Sequence, residues 1–226
     1  FYKGQHVQID FPKALGWYSK AAEQNVPQAL FMMGSIYFSG KGVVVDLPKA
    51  TEYFEKSSEL GFHIAQFKLG NMSYYGNGAE KDYDKAFLNY SQSASKQYAN
   101  AQLMMGIMCY FGQGTEKSYP KAMEWYKLAA EQNNPIAQLK IGSLYYAGRG
   151  IKKDYAKAIY YYEQAIKSNH PDAYLLLGNM YYKGKGVAKS IKQAVVLYEK
   201  AAEKNNASAQ NMLGNISFEG EGGIEQ

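Results

Sequence analysis

"AQLKIGSLYYAGRGIKKDYAKAIYYYEQAIKSNHP", residues 137–171, contains two apolar-periodic segments separated by a short glycine-containing stretch. In each segment, apolar residues stand at the i, i+4, i+7 and i+8 spacing that forms one face of an α-helix. They are Ala137, Ile141, Leu144 and Tyr145 in the first segment, and Ala158, Tyr162, Ala165 and Ile166 in the second. Between them, the first glycine of G-x-G is suited to end a helix in the left-handed conformation, and the second lets the chain turn back. The stretch therefore predicts a helical hairpin.

The same pattern recurs every 36 residues along the whole chain. The G-x-G pairs are Gly40 and Gly42, Gly76 and Gly78, Gly112 and Gly114, Gly148 and Gly150, Gly184 and Gly186, and Gly220 and Gly222. One copy, YYKGKGVAKS at residues 181–190, has the composition of a phosphate-binding loop, but no register gives the spacing G-x-x-x-x-G-K-[ST]. Because a phosphate loop is used once and this device occurs six times, we interpret it as a turn.

Residues that favour helix starts occupy fixed positions in the period. A side-chain oxygen that can cap the second helix of each hairpin is supplied by Asp10, Asp46, Asp82, Ser118, Asp154 and Ser190. Proline follows two residues later at Pro12, Pro48 and Pro120, and stands near the start of the first helix at Pro27, Pro135 and Pro171. We therefore interpret the aspartates as caps and not as catalytic acids.

Small and aromatic positions predict how the two helices pack. Glycine recurs in the first helix at Gly34, Gly70, Gly106, Gly142, Gly178 and Gly214, and alanine in the second at Ala14, Ala50, Ala86, Ala122, Ala158 and Ala194. The aromatic residues that would fill the space beside them are Tyr18, Phe54, Tyr90, Tyr126, Tyr162 and Tyr198, which accounts for part of the unusual count of 22 tyrosines. A single hairpin buries too little surface to be stable, so the hairpins must stack on one another.

The predicted fold class is an all-α solenoid of 36-residue helix-turn-helix repeats. We expect one domain over residues 1–226, with a partial repeat at 1–24, repeats at about 25–60, 61–96, 97–132, 133–168 and 169–204, and a partial repeat at 205–226. Phe1 and Tyr2 align with Tyr37 and Phe38, the end of a first helix, and no second helix follows Gly222. We therefore expect the chain to be a piece of a longer protein.

Composition excludes several classes of protein. The 226 residues are 46% apolar and 20% charged, as in globular proteins, and no apolar run reaches the roughly 18 residues of a membrane span. Cys109 is the only cysteine, so no intrachain disulfide can form. The net charge of +5 is compatible with an acidic partner but is low for a nucleic-acid-binding tract.

The unit starting at Ala137, together with AQNMLGNISFEGEGG from Ala209, resembles the Sel1-like repeat of the tetratricopeptide superfamily. The family pattern is A-x-x-x-L-G-x-x-Y-x-x-G-x-G-V-x-x-D-x-x-K-A-x-x-Y-Y-x-K-A-A-E, and the match covers the whole chain. The resemblance implies a right-handed α-α superhelix with the first helix of each hairpin on the concave side. It also implies a non-enzymatic adaptor that binds other proteins.

Two other functions remain open at this stage. A cysteine-rich branch of the family is linked to penicillin binding and would imply a hydrolase of the β-lactamase type, but this chain lacks the disulfide in each repeat that defines that branch. Pentatricopeptide repeats of similar length would imply RNA binding, but they lack the L-G-x-x-Y-x-x-G-x-G signature. We expect no nucleic-acid ligand.

Two columns of the first helix are candidates for contact with a partner protein or an extended peptide. The residue after the helix glycine is mostly short and polar: Ser35, Asn71, Ile107, Ser143, Asn179 and Asn215. An asparagine amide carries donor and acceptor together and can pair with a peptide backbone of any sequence. Beside this column stand the large rings of Phe38, Tyr74, Tyr110, Tyr146, Tyr182 and Phe218, which suit an interface or a core equally well.

A basic edge is predicted on the turns of the fourth and fifth repeats. It consists of Arg149, Lys152, Lys153, Lys183, Lys185, Lys189 and Lys192, whereas the last turn carries Glu219 and Glu221. Exposed lysines commonly serve solubility, and an acidic docking partner is the functional alternative. His6, His63 and His170 share no column and no metal-ligand spacing, so we expect no catalytic residue, metal or cofactor.

Overall fold

The structure is a computed structural model that describes residues 10–220, and these form twelve α-helices and no strand. The all-α prediction is confirmed. Five residues named above, Phe1, Tyr2, His6, Glu221 and Gly222, lie outside the described residues. The helices are α1 (Phe11–Glu23), α2 (Pro27–Ser39), α3 (Leu47–Glu59), α4 (His63–Tyr75), α5 (Tyr83–Ser95), α6 (Ala99–Phe111), α7 (Tyr119–Glu131), α8 (Pro135–Ala147), α9 (Tyr155–Lys167), α10 (Pro171–Lys183), α11 (Ile191–Ala202) and α12 (Ala207–Glu219).

The chain divides into two compact units at Lys117 and Ser118. The first unit contains α1 to α6 and the second contains α7 to α12. Within each unit, consecutive helices pack on one another, most extensively where a G-x-G turn joins them. The even-numbered helices are the first helices of the predicted hairpins, and the odd-numbered helices are the second.

The G-x-G turns have the predicted left-handed geometry. Gly148 ends α8 at φ +69°, and its amide donates to the carbonyl oxygen of Leu144 at 2.8 Å. The second glycine also supports stacking, because a Cβ on Gly186 would lie 2.5 Å from Cβ of Tyr155, the first residue of α9. The glycine pair therefore ends one helix and brings the turn against the preceding repeat.

The predicted caps of the odd-numbered helices are confirmed. The Asp154 carboxylate accepts from the backbone N–H of Lys157 at 3.0 Å, and its own N–H donates to the Tyr145 carbonyl oxygen at 3.0 Å, which closes the turn. The same side-chain bond is made by Asp10, Asp46, Asp82, Ser118 and Ser190. Such caps contribute about 1 kcal/mol each, so this column has a structural role in every repeat.

The close contact between the two helices of a hairpin is also as predicted. A Cβ on the helix glycine would lie 2.6–2.7 Å from the aromatic ring of the next helix, which is closer than packed carbon atoms approach. The pairs are Gly34 with Phe54, Gly70 with Tyr90, Gly142 with Tyr162, and Gly178 with Tyr198. These rings are at most 2% exposed and form the centre of each hairpin.

The turns from odd-numbered to even-numbered helices contain a column that the sequence analysis did not identify. One residue in each has positive φ: Asn25, Gly61, Gln97, Asn133, Asn169 and Asn205. Asparagine and glycine tolerate the left-handed region better than other residues. The recurrence of Asn or Gly at this position was the available signal, and Gln97 is the exception.

Candidate partner-binding surface

The predicted asparagine column is anchored by the buried tyrosines. Oδ1 of Asn71 on α4 accepts from the Tyr90 hydroxyl at 2.8 Å, and Oδ1 of Asn179 on α10 accepts from the Tyr198 hydroxyl at 2.9 Å. Both asparagines are half-buried. Because the amide oxygen holds the tyrosine, the orientation of the amide is fixed and its two N–H donors point away from that bond.

The other members of this column make different contacts. The hydroxyls of Ser143 and Tyr162 are 3.5 Å apart, whereas the Ser35 hydroxyl donates to the Phe31 carbonyl oxygen at 2.9 Å in its own helix. The repeat of Ser35 has Phe54 in the tyrosine position, so there is no hydroxyl to bond. Asn215 on α12 is exposed, and Ile107 has no polar side chain.

Burial raises the pKa of the tyrosine hydroxyls that the column contacts. Tyr90 and Tyr162 are shifted above the ordinary value mainly by burial, and burial together with Tyr182 raises the pKa of Tyr198 to about 12. The hydroxyls are therefore neutral at physiological pH, and those of Tyr90 and Tyr198 donate to Asn71 and Asn179.

Apart from Phe218, the aromatic column is half-buried, and Tyr74, Tyr110 and Tyr146 pack against neighbouring rings. The Tyr74 hydroxyl donates to Oε1 of Gln113 at 2.8 Å, and its ring meets that of Tyr83 edge-on at 5.3 Å. Tyr146 packs on Tyr155 at 5.5 Å between ring centroids. The Tyr110 ring contacts that of Phe111. Nζ of Lys189 lies 5.8 Å from the centre of the Tyr182 ring. Phe218 is 94% exposed.

The structure brings the two columns together within a hairpin. The rings of Tyr74 and Tyr90 are 6.3 Å apart, so Asn71, Tyr74 and Tyr90 form one cluster. In the second unit, Tyr182 contributes to the raised pKa of Tyr198, and Tyr198 is the residue that bonds Asn179. Each cluster presents an oriented amide next to an amphipathic ring.

The basic edge is exposed in the second unit. Its members are all exposed and lie on the turns after α8 and α10, at the last residue of α10 and at the start of α11: Arg149, Lys152, Lys153, Lys183, Lys185, Lys189 and Lys192. Lys153 lies 5.9 Å from the Tyr155 ring. Glu219, in the last described turn, is also exposed. The contact of Lys189 with Tyr182 places the edge beside the aromatic column in this repeat.

Residues 10 to 220 contain no group of histidine, cysteine, aspartate or glutamate side chains that could hold a metal ion. The single thiol, Cys109, is 2% exposed. In that same range, no helix has the length and apolar character needed to cross a bilayer.

Two cavities of the described chain were not predicted. One of about 630 Å³ lies in the first unit beside Tyr37 and Val43–Leu47, and one of about 330 Å³ lies in the second unit beside Gln138 and Tyr160. Each depends on the relative positions of several helices and turns, which single-repeat periodicity does not specify. Some lining residues, such as Tyr160, differ in type from those at every equivalent position of the other repeats.

These repeated hairpins, with a small residue in each first helix and a capped second helix, define a tetratricopeptide-like repeat protein. The Sel1 repeat model matches residues 1–26, 27–62, 63–98, 99–134, 135–170, 171–206 and 207–226, and the chain belongs to the Sel1 repeat family. Members of this family generally act as non-catalytic scaffolds for protein–protein interaction. A comparison with curated protein sequences found no match.

Solved structures give the same fold. A protective antigen of uropathogenic Escherichia coli with an SLR fold is 32% identical with a TM-score of 0.90, covering 100% of this chain and 48% of that protein. The chain therefore spans about half the length of that antigen. A Sel1 repeat protein from Oxalobacter formigenes is 34% identical with a TM-score of 0.84, covering 89% of this chain and 80% of that one. An immunity protein from Pseudomonas aeruginosa, 20% identical with a TM-score of 0.53 over 88% of this chain and 76% of that one, shares the fold alone.

Proposed function

We propose that this chain is a non-enzymatic scaffold that binds a partner protein, or an extended peptide of it, through the even-numbered helices of its hairpins. The general role of Sel1 repeats in protein–protein interaction supports the class of function. The observation that carries the proposal is the anchoring of Asn71 and Asn179 by Tyr90 and Tyr198.

The anchored amides suit recognition of a peptide backbone. Fixing Oδ1 orients the two N–H donors before a partner arrives, which lowers the entropy lost on binding. These donors match the carbonyl oxygens of an extended chain, whatever its side chains. Tyr74 and Tyr182 add apolar ring surface beside the amides, a composition typical of binding hot spots.

We further propose that the partner presents acidic side chains to the basic edge. The lysines on the turns after α8 and α10 are exposed and of one sign, so they would attract an anionic surface and raise the association rate. This attraction would weaken with added salt, because exposed charges are screened over about 8 Å at physiological ionic strength.

Affinity purification with the full chain, followed by mass spectrometry, would identify the partner, and its dissociation constant would then be measured at low and high salt. We expect Lys185→Glu with Lys189→Glu to weaken binding about tenfold at low salt. Lys200→Glu with Lys204→Glu, an exposed pair with the same charge change in the same unit, is the control. Equal effects of the two pairs would refute docking at the basic edge.

Two direct assays on the purified chain test the hydrolase and the nucleic-acid alternatives. We expect no hydrolysis of nitrocefin and no salt-dependent mobility shift with homopolymer RNA. Turnover of nitrocefin would favour the hydrolase alternative, and a shift with RNA would favour the nucleic-acid alternative.

A further inference from the structure

The second unit contains a cavity of about 330 Å³ between α7, α8 and α9. Glu131 on α7 and Tyr160 on α9 line it and are exposed, so the cavity is open to solvent. Gln138 and Ile141 on α8 line its buried side. A volume of this size is at the lower end of sites that bind small organic groups.

The buried side of the cavity carries an unsatisfied acceptor. Gln138 is 6% exposed, and its Oε1 is buried without a hydrogen-bond partner among the residues that the structure describes. Buried polar groups are nearly always bonded, and an unpaired one is destabilising. A group with N–H donors in the cavity would satisfy this oxygen.

Glutamine also stands at the equivalent positions Gln66, Gln102 and Gln210, and Oε1 of Gln66 is likewise buried without a hydrogen-bond partner among the described residues, but the next repeat carries a tyrosine. Tyr174 on α10 corresponds to Gln138, and Asn169 corresponds to Asn133, which also lines the cavity. The Tyr174 hydroxyl donates to Oδ1 of Asn169 at 3.0 Å, and the tyrosine is 8% exposed. The shorter Gln138 leaves the space that a tyrosine ring occupies one repeat later.

The remaining walls of the cavity suit a flat cation. Tyr160 is 55% exposed and contacts Tyr161 edge-on at 5.2 Å between centroids, so one ring is available for stacking. The pKa of Tyr161 is raised by burial, by Tyr145 and Tyr160, and by the negative charge of Glu131, which lies close to it. Lys127 also lines the cavity, so its positive charge balances the negative charge of Glu131. A bound group is therefore selected by the geometry of its contacts more than by its net charge.

We propose that this cavity binds a guanidinium group, the side chain of an arginine on the partner protein. Guanidinium carries five N–H donors in one plane, so it can donate to the Gln138 oxygen and to the Glu131 carboxylate while its face stacks on Tyr160. An ammonium group is a compact, strongly hydrated charge and has no face to stack. The inference rests on the proposed function, because it names one chemical feature of the bound protein.

The test is a titration of the full chain with N-acetylarginine amide, followed by NMR of the glutamine side-chain amides and tyrosine rings. We expect saturable shifts at Gln138 and Tyr160, with a dissociation constant on the order of 1 mM for so small a ligand. N-acetylnorleucine amide, which has a side chain of similar reach without donors, should give no saturable shift.

Two variants decide whether the cavity is the site. Gln138→Tyr should fill it in the way Tyr174 fills the equivalent space, and it should abolish the response while the chain stays folded. Glu131→Gln should weaken binding about tenfold, because it removes the anionic partner of the guanidinium. The absence of saturable shifts in the unsubstituted chain, or an equal response from Gln138→Tyr, would overturn the proposal.

This titration requires no partner protein, so its failure is distinguishable from failure of the proposed function. If the arginine analogue does not bind but the partner identified above does, the scaffold function stands and the arginine site is wrong. If the analogue binds the unsubstituted chain and not Gln138→Tyr, the site stands whatever the partner assay gives.

Discussion

The Tyr90 hydroxyl donates a 2.8 Å hydrogen bond to Oδ1 of Asn71, which lies nineteen residues earlier on the preceding helix of the same hairpin. The bond satisfies the hydroxyl of a ring that is 0% exposed, and it also fixes the half-buried amide. Tyr198 and Asn179 repeat the arrangement in the second unit at 2.9 Å. A core contact therefore orients a group at the edge of these two hairpins.

Removing the acceptor should destabilise the hairpin. Asn71→Ala leaves the buried Tyr90 hydroxyl unpaired, and we expect a loss of about 1–3 kcal/mol in the free energy of unfolding, measured in urea. Tyr90→Phe removes the donor and places phenylalanine where the repeat of Ser35 carries Phe54. A double-mutant cycle should give a coupling energy of about 1 kcal/mol, and additive effects would refute the bond.

The helix glycines differ in the space beside them, which gives a matched pair of substitutions. Gly142→Ala would place Cβ 2.6 Å from the Tyr162 ring, and we expect a loss of about 1–3 kcal/mol in stability. Gly214→Ala meets no atom within 4 Å in the described chain and should gain about 0.5–1 kcal/mol from helix propensity. Thermal and urea unfolding of both variants would check this, and losses of similar size at both sites would contradict the packing.

Gln97 should be the least favourable residue of the left-handed turn column. It has φ +59°, where most side chains are strained, while the equivalent positions carry Asn or Gly. We expect Gln97→Gly to stabilise the chain by about 1 kcal/mol in urea unfolding. Gln92→Gly, inside α5, is the control and should destabilise by about 1 kcal/mol. A destabilising Gln97→Gly would show that the turn does not adopt this conformation.

Stability should fall at alkaline pH because of the buried tyrosines. The folded pKa of Tyr198 is about 12, whereas the unfolded value is about 10. Above about pH 10 the unfolded chain releases a proton that the folded chain retains, so the stabilisation present at lower pH is lost as the pH rises towards the folded pKa. Urea unfolding at about pH 9 and about pH 11 should show this loss, and Tyr198→Phe should reduce it. An unchanged pH dependence in Tyr198→Phe would contradict the assignment.

The hairpin architecture was predictable because its determinants are local and repeated. Asp154 caps α9 through an amide three residues away, and Gly148 ends α8 by its own conformation, so both features depend on a few adjacent residues. The approach of Gly142 to Tyr162 was predictable because the same pair of columns recurs in each hairpin.

The candidate sites depend on contacts between helices, which the periodic pattern does not determine. The sequence places Asn71 beside the helix glycine, but the bond from Tyr90 requires the crossing geometry of α4 and α5. The cavity beside Gln138 depends on three helices and on the absence of the ring that Tyr174 supplies one repeat later. The expected partner contacts of both columns and of the basic edge stay predictions.

The most direct test of the scaffold function is the dissociation constant of the identified partner for the chain with Asn71→Ser and Asn179→Ser. Serine occurs at this position in Ser35 and Ser143, so the fold should tolerate it while the amide donors are lost. We predict binding weakened about tenfold relative to both the unsubstituted chain and the control Asn89→Ser with Asn211→Ser, whose positions lie outside the column. Unchanged affinity in a folded Asn71→Ser, Asn179→Ser protein would contradict the proposal that the anchored amides hold the partner.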